Sequence, residues 1–529
     1  MSCAEGEEVG WLFMNPQALM AQALERHGRG DAAGAEQLYR QVLQFVPGHR
    51  DAAHMLAVAI AQQGRPAEAC ALFEQVVAAG PRDPLALTNY ANALREMRRY
   101  EASLEMIDRA IALDPGDADR WNSRAVLLQA LARFEEAFDS VSRALLVNPG
   151  HAGAIRGRAD LLQSLGCYSE ALAAYDRMLV ATPGDAGLWN NRGISLRNLG
   201  QIEASSQSFE RARAMDPRMK APQFHIGLNY LLAGDFARGL PLYELRKEMP
   251  DPVEARSYPQ PLWTGQEDLR GKHLFAYIEQ GLGDTIQFYR FIRLAQERGA
   301  TVTLSVYGPM TRLLKSADPP CALIGWGKAP EAFDYHIPLM SLPLALGITL
   351  DTIPAPCRYL SAEPGRVAQW RARVGHDGFR IGIAWRGNKA VFGAEGKEFP
   401  LQALAEISHM PGVRLISLQK DGGTIPEGLK LERFDDLDQG GDAFVDSAAI
   451  VENLDLVISA DSAPAHLAGA LGVPVWVALK HVPDWRWLMD RDDSPWYPAM
   501  RLFRQKEPGG WRGVFQAMQA ALARQLDKS

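Results

Sequence analysis

The sequence predicts two structural classes in one chain, an all-α repeat array followed by an α/β domain, and three observations carry that prediction. Prolines recur at a fixed interval through the first half, a proline-rich stretch ends the period, and short apolar runs then alternate with helix-like segments. At 529 residues the chain is also too long for one ordinary domain.

Pro47, Pro81, Pro115, Pro149, Pro183 and Pro217 stand 34 residues apart. Ten residues after each comes a small residue: Ala57, Ala91, Ala125, Ala159, Gly193 and Gly227. Twelve further on comes another: Ala69, Ser103, Ala137, Ala171, Ser205 and Gly239. Small side chains at both places let the two helices of a hairpin approach closely. The interval is that of the tetratricopeptide repeat. Extending it back to Ala23 and Ala35 gives about seven hairpins over residues 16–253, after an extension of residues 1–15. One hairpin cannot bury its apolar stripe alone, so neighbours stack into a right-handed superhelix whose concave face suits an extended peptide. Asn89 and Asn191 hold the sixth position of their repeats on that face, where the other repeats carry Met55, Ser123, Gly157 and His225. The array resembles that of the eukaryotic O-GlcNAc transferases, in which an asparagine ladder at this position grips peptide backbone. The resemblance makes Asn89 and Asn191 candidate acceptor contacts; read alone, they are equally solvated groove residues.

Residues 250–264 (PDPVEARSYPQPLWT) hold four prolines and no helical period, which places a linker at 254–271. Strands are predicted at Lys272–Glu279 and Thr301–Tyr307 around the turn GLGDT and a helix Thr285–Arg298. A second βαβ unit begins at Arg380. Strands at Arg414–Leu418, Leu454–Ser459 and Val473–Leu479 follow, with helices at Ala463–Leu471 and Trp511–Leu526. Two Rossmann-like halves, 272–365 on the acceptor side and 366–529 on the nucleotide side, fit a GT-B architecture.

Several classes of function are disfavoured. A net charge of -7 and a pI near 5.9 argue against a protein that neutralises nucleic-acid phosphates. No apolar run reaches membrane-spanning length and the first residues are acidic, so no membrane span and a cytoplasmic location are expected. Cys3, Cys70, Cys167, Cys321 and Cys357 are odd in number and scattered, unlike a disulfide framework or a structural zinc site. The turn Gly281-Leu282-Gly283-Asp284 lacks the third glycine of a dinucleotide fingerprint, Gln287 standing in its place. No Asp-x-Asp pair offers a plausible metal site.

Asp461-Ser462-Ala463-Pro464-Ala465-His466 follows a strand and opens a helix. A helix start exposes unpaired N–H groups and partial positive charge, a ready site for a diphosphate. Asp461 and Ser462 are suited to cap it, and Pro464 is tolerated in its first turn. Asn388 and Lys420 fall at the C-terminal ends of strands, where open α/β sheets bind ligands.

The runs LDLVISADSAPAHLAGALGVPVWVAL, RIGIAWRGN, EGKEFPL and GLGDT resemble the bacterial heptosyltransferases, glycosyltransferase family nine, over nearly all of residues 272–505. The ending VPDWRWLMDRDDSPWYPAMRLFRQ is similar to bacterial proteins in which tetratricopeptide repeats precede such a domain, flagellin glycosyltransferases among them. The resemblance implies donor phosphates held at Asp461, Ser462 and Ala463, with Ser462 and Ala463 replacing the family's Thr and Gly. It further implies that His466 donates to the diphosphate, that Lys397 meets the leaving phosphate, and that Asp284 is the general base. Gly283 would then let the backbone pass close to the acceptor. Glu279, ending the same strand, is the alternative base. Without the resemblance, Asp284 is a helix cap and His466 a structural histidine. Trp485, Trp487, Trp496 and Tyr497, interleaved with Arg486, Arg491 and Arg501, either close over a sugar or base or simply pack.

The expected activity is inverting, metal-independent transfer of a sugar from a nucleotide donor to Ser or Thr hydroxyls of a protein held by the repeats, flagellin being one candidate. No cofactor is implied, since the nucleotide-sugar is a substrate. Two alternatives stay open: a lipopolysaccharide or other glycan transferase whose repeats recruit partners, and a non-catalytic scaffold with a decayed transferase domain. Cytidine-linked nonulosonic acids, ADP-heptose and UDP-hexosamines remain equal candidates for the donor.

Overall fold

The computed structural model describes residues 15–80, 83–249, 256–387, 396–420 and 423–527. Residues 1–14 of the extension, 254–255 of the linker, Pro81 and Asn388 lie outside the described residues. The chain divides into two compact units, 1–174 and 175–529.

The first unit is a run of helical hairpins: α1 (Pro16–Gly28) with α2 (Ala32–Phe45), α3 (Arg50–Gln62) with α4 (Pro66–Ala79), α5 (Pro84–Glu96) with α6 (Tyr100–Leu113), and α7 (Ala118–Ala130) with α8 (Phe134–Val147). The next pair is α9 (Ala152–Ser164) and α10 (Tyr168–Ala181), the latter crossing the unit boundary. Asn15, Asp31, Asp83 and Asp117 accept first-turn N–H groups through their side chains, and the His49 and His151 rings do the same, so six helix starts are capped. Pro47, Pro115 and Pro149 sit in the turns between hairpins. Ala57, Ala69, Ala91, Ser103, Ala125 and Ala137 are all 1% exposed or less, as close helix approach requires. Ser103 uses its hydroxyl there too, donating to the Ala91 carbonyl at 2.6 Å.

The second unit opens with two more hairpins, α11 (Ala186–Asn198) with α12 (Ile202–Met215) and α13 (Lys220–Leu232) with α14 (Phe236–Tyr243). Here the small position becomes glycine for a visible reason. A Cβ on Gly193 would lie 2.5 Å from the Phe209 ring, and one on Gly227 2.6 Å from Leu242. Pro241 lies inside α14, where it withholds the N–H that would bond the carbonyl four residues back, and α14 is followed by a 3-10 turn at Glu244–Glu248.

Two parallel sheets follow. β1 (His273–Tyr277), β2 (Thr301–Val306), β3 (Ala322–Gly325) and β4 (Tyr335–Pro338) are ordered β3-β2-β1-β4. β5 (Phe379–Ala384), β6 (Val413–Ser417), β7 (Leu456–Ala460), β8 (Val475–Leu479) and β9 (Met500–Arg504) are ordered β6-β5-β7-β8-β9. The helices of this part are α15 (Leu282–Tyr289), α16 (Phe291–Glu297), α17 (Thr311–Leu314), α18 (Leu342–Ala345), α19 (Pro364–Val374), α20 (Ala405–Ser408), α21 (Val445–Val451), α22 (Ala463–Ala470) and α23 (Trp511–Leu526). Every residue of β7 and β8 is buried, the mark of parallel strands covered on both faces. Strand order reverses between β1 and β4 and between β5 and β7, where such sheets open their binding crevices.

Three strands, β3, β4 and β9, were not among those expected. The single helix expected at Thr285–Arg298 is two, α15 and α16, parted at Arg290. The reason is the Arg290 guanidinium, which turns inward and donates to the Gln287 carbonyl at 2.8 Å, the Pro354 carbonyl at 3.0 Å and the Tyr359 hydroxyl at 3.1 Å.

The last hairpin is fused to the α/β part by a shared core. Phe236 and Tyr243 pack edge-on against Trp485 at 5.8 and 5.7 Å, and Phe236 stacks on Trp496 at 6.2 Å. Among the described residues no helix is long and apolar enough to cross a membrane.

Candidate functional site

The C-terminal ends of strands from both sheets supply one charged cluster. β1 leads through Gln280 and Gly281 into α15, so Asp284 stands in that helix's first turn. β7 leads through Asp461 and Ser462 into α22, and β8 leads into Lys480, Asp484 and Arg486. Gly283 explains how the two helix starts meet: a Cβ there would lie 3.1 Å from the His466 ring and 3.2 Å from the Ala463 Cα. The close approach expected of Gly283 is therefore made to α22.

Arg486 is the hub. Its Nη2 donates to Asp284 Oδ1 at 2.6 Å and its Nη1 to Asp484 Oδ1 at 2.7 Å. The other Asp284 oxygen accepts the Gly281 N–H at 3.0 Å, a capping contact, so Asp284 both caps α15 and faces the cluster. Lys397 Nζ lies 2.9 Å from Asp461 Oδ2. Burial raises the Asp284 carboxyl above its usual range against the pull of Arg486. For Asp484 burial acts the same way but is outweighed by Arg486 and Lys397, which hold it well below the ordinary carboxylate range. Burial lowers Lys480, reinforced by the charge of Lys397, whereas Asp461 outweighs burial at Lys397 and holds it firmly charged. Three cations and three carboxylates thus balance one another.

The remaining expected residues fall as follows. Ser462 is the N-cap of α22 but makes no side-chain cap; its hydroxyl donates to the Ala460 carbonyl at 3.3 Å and lies 3.2 Å from Ser459 Oγ. Asp461 does not cap α22 either, since its carboxylate turns to Lys397. Ala463 is the first residue of that helix. His466 is 5% exposed, stacked on Trp487 at 5.3 Å, with Nδ1 3.2 Å from the Tyr497 hydroxyl; burial lowers it to about 3, so its ring is neutral. Lys420 is exposed just beyond β6 and, among the described residues, forms no ion pair. Asn388 lies outside the described residues.

Asn89, in the first unit, has Nδ2 2.9 Å from His54 Nε2, and Asn191, in the second, accepts from Asn190 Nδ2 at 3.2 Å. Glu279 is sealed in: it accepts from Arg246 Nε at 2.8 Å, and the two side chains are 1% and 2% exposed. The aromatic cluster packs. Trp487 and Trp496 are fully buried, Tyr497 is 1% exposed, and their neighbours include Phe288 and Phe291. Lys480 and Asp484 escaped the sequence reading. Their signal was the segment KHVPD directly after the buried run VPVWVAL, at a strand's C-terminal end.

These features define a protein whose amino-terminal part consists of tetratricopeptide repeats and whose remainder is a parallel α/β fold. Residues 19–84, 61–127, 122–186 and 186–218 match models of the tetratricopeptide repeat. Protein FlbA of Caulobacter vibrioides is 29% identical in an alignment of 297 residues that covers 49% of this chain and 48% of that protein. The chain thus spans about half the length of this curated relative. Among solved structures, a tetratricopeptide repeat protein from Parabacteroides merdae is 18% identical with a TM-score of 0.39, covering 44% of this chain and 93% of its own. PilF of Pseudomonas aeruginosa is 21% identical with a TM-score of 0.35, covering 39% and 95%.

Proposed function

We propose that residues 272–529 form a GT-B glycosyltransferase domain that moves a sugar, with inversion and without a metal ion, from a nucleotide-sugar to Ser or Thr hydroxyls of a protein bound by the repeats. The observation that carries this reading is the convergence of Asp284 with Lys397, Lys480 and Arg486 at the strand ends of two parallel sheets. Cations and the α22 N-terminus suit a phosphate leaving group. Asp284 is a carboxylate of raised basicity that keeps 23% side-chain exposure, whereas Glu279 is enclosed by Arg246, so Asp284 is the better base. It takes the proton of the acceptor hydroxyl as that oxygen attacks the anomeric carbon, and the electron pair of the breaking bond leaves on the phosphate oxygen. His466, buried and neutral, would contribute through a ring N–H and not through charge. Flagellin is one protein acceptor consistent with the reading.

The test is transfer by the full chain from UDP-hexosamines, ADP-heptose and CMP-linked nonulosonic acids, read by mass spectrometry of proteins co-purified with the repeats. Asp284→Asn should lower transfer by about 100-fold to 10,000-fold while acceptor binding persists, and a chelator should change little. If wild type consumes none of these donors, the repeat-scaffold reading replaces this one.

A further inference from the structure

Both oxygens of Asp284 are engaged. Oδ1 accepts from Arg486 Nη2 at 2.6 Å and Oδ2 accepts the Gly281 N–H at 3.0 Å. A carboxylate paired with guanidinium is a poorer proton acceptor than one released from it. Arg486 is 7% exposed, its two terminal nitrogens are spent on Asp284 and Asp484, and its Nε is buried with no hydrogen-bond partner among the described residues. A phosphate entering this cluster competes with its carboxylates for the cations, and Arg486 serves two of those carboxylates at once.

Resting on the glycosyltransferase reading, we propose that Arg486 is an exchange cation: it pairs with Asp284, passes its guanidinium to the phosphate of an arriving donor, and thereby frees Asp284 to act as base. Phosphate is the stronger competitor, carrying more charge and matching the guanidinium in a two-point fork. Asp284 yields more readily than Asp484, since Asp484 stands two residues from Arg486 in the chain and also receives the Arg486 backbone N–H at 3.1 Å. The device keeps the base idle until a donor is present, which suppresses proton removal without transfer.

The exchange predicts an inverted mutational effect. Calorimetric titration of the full chain with inorganic pyrophosphate should show Asp284→Asn binding about tenfold more tightly than wild type, because the competitor for Arg486 is weakened. A lost structural contact would instead weaken binding. Arg486→Lys should bind pyrophosphate at least about tenfold more weakly, and the gain from Asp284→Asn should vanish in the Arg486→Lys background. Equal or weaker binding by Asp284→Asn, or a gain that survives Arg486→Lys, overturns the exchange while leaving a transferase that binds donor. Absence of pyrophosphate and nucleotide binding by wild type removes the transferase reading and the exchange with it.

Discussion

The hairpins of residues 16–174 and those of residues 175–248 follow one period yet meet different surroundings. In the first group the ends of the second helices stay open to solvent: Phe45 is 51% exposed and Leu113 43%. In the last hairpin the cover comes from outside the repeats: Phe236 at 2%, Tyr243 at 5% and Arg246 at 2% are packed by Trp485, Trp496 and Glu279. The period ends near residue 253, whereas the compact units part at 174. A repeat period therefore reports how a hairpin folds on itself, and says little about what its outer surface joins.

The largest effect that sharpens this contrast is expected at Arg246. Arg246→Met leaves Glu279 buried without its partner and should cost about 3 to 5 kcal/mol in denaturant unfolding of residues 175–529, most of it recovered by adding Glu279→Met. Arg124→Met removes an ion pair of the first unit whose Asp108 is 47% exposed, and should cost under about 1 kcal/mol. Similar losses for both would erase the distinction. Gly193→Ala comes next, at about 1 to 3 kcal/mol by overpacking against Phe209, a loss that calorimetry can read.

Acid should act on His466, whose folded value near 3 lies below the ordinary 6.5. Since the unfolded chain takes up the proton first, stability of residues 175–529 should fall as pH drops from about 6.5, by about 1.4 kcal/mol per pH unit for this histidine. Burial lowers His225 and His336 too, which act in the same sense, while the raised carboxyls Asp284 and Glu279 act in the opposite one, so the share of His466 is read as a difference between wild type and variant. His466→Gln should make the slope between about pH 6.5 and 5 shallower by that amount, and an unchanged slope would show the ring is not held neutral. The smallest expected effect is at Ser103→Ala, which removes one hydroxyl bond to the facing helix at 2.6 Å and should cost about 1 kcal/mol in denaturant unfolding, whereas Ser205→Ala removes the matching bond at 2.8 Å and an acceptor of Asn229 Nδ2 at 3.1 Å and should cost more.

Much of this architecture was legible. The small residues of the repeats become the buried contacts of real hairpins, and helix Trp511–Leu526 ends where its pattern ends. What was not legible depends on partners distant in sequence. β3 and β4 are four residues long and set among turns, too short for a period to register. Arg290 breaks a continuous helical pattern through bonds to residues more than 60 positions away. At the site, Asp284, Asp461 and Lys397 were legible as candidates, but the pair of Arg486 with Asp284 spans 202 positions and has no local signature.

Hydrogen exchange by the full chain, with and without UDP, ADP and CMP, tests the central claim most directly. The account predicts that at least one nucleotide protects backbone amides at residues 281–285, 461–466 and 480–486, with the repeats of residues 16–174 unchanged. No protection by any of the three, or protection confined to the repeats, would contradict it.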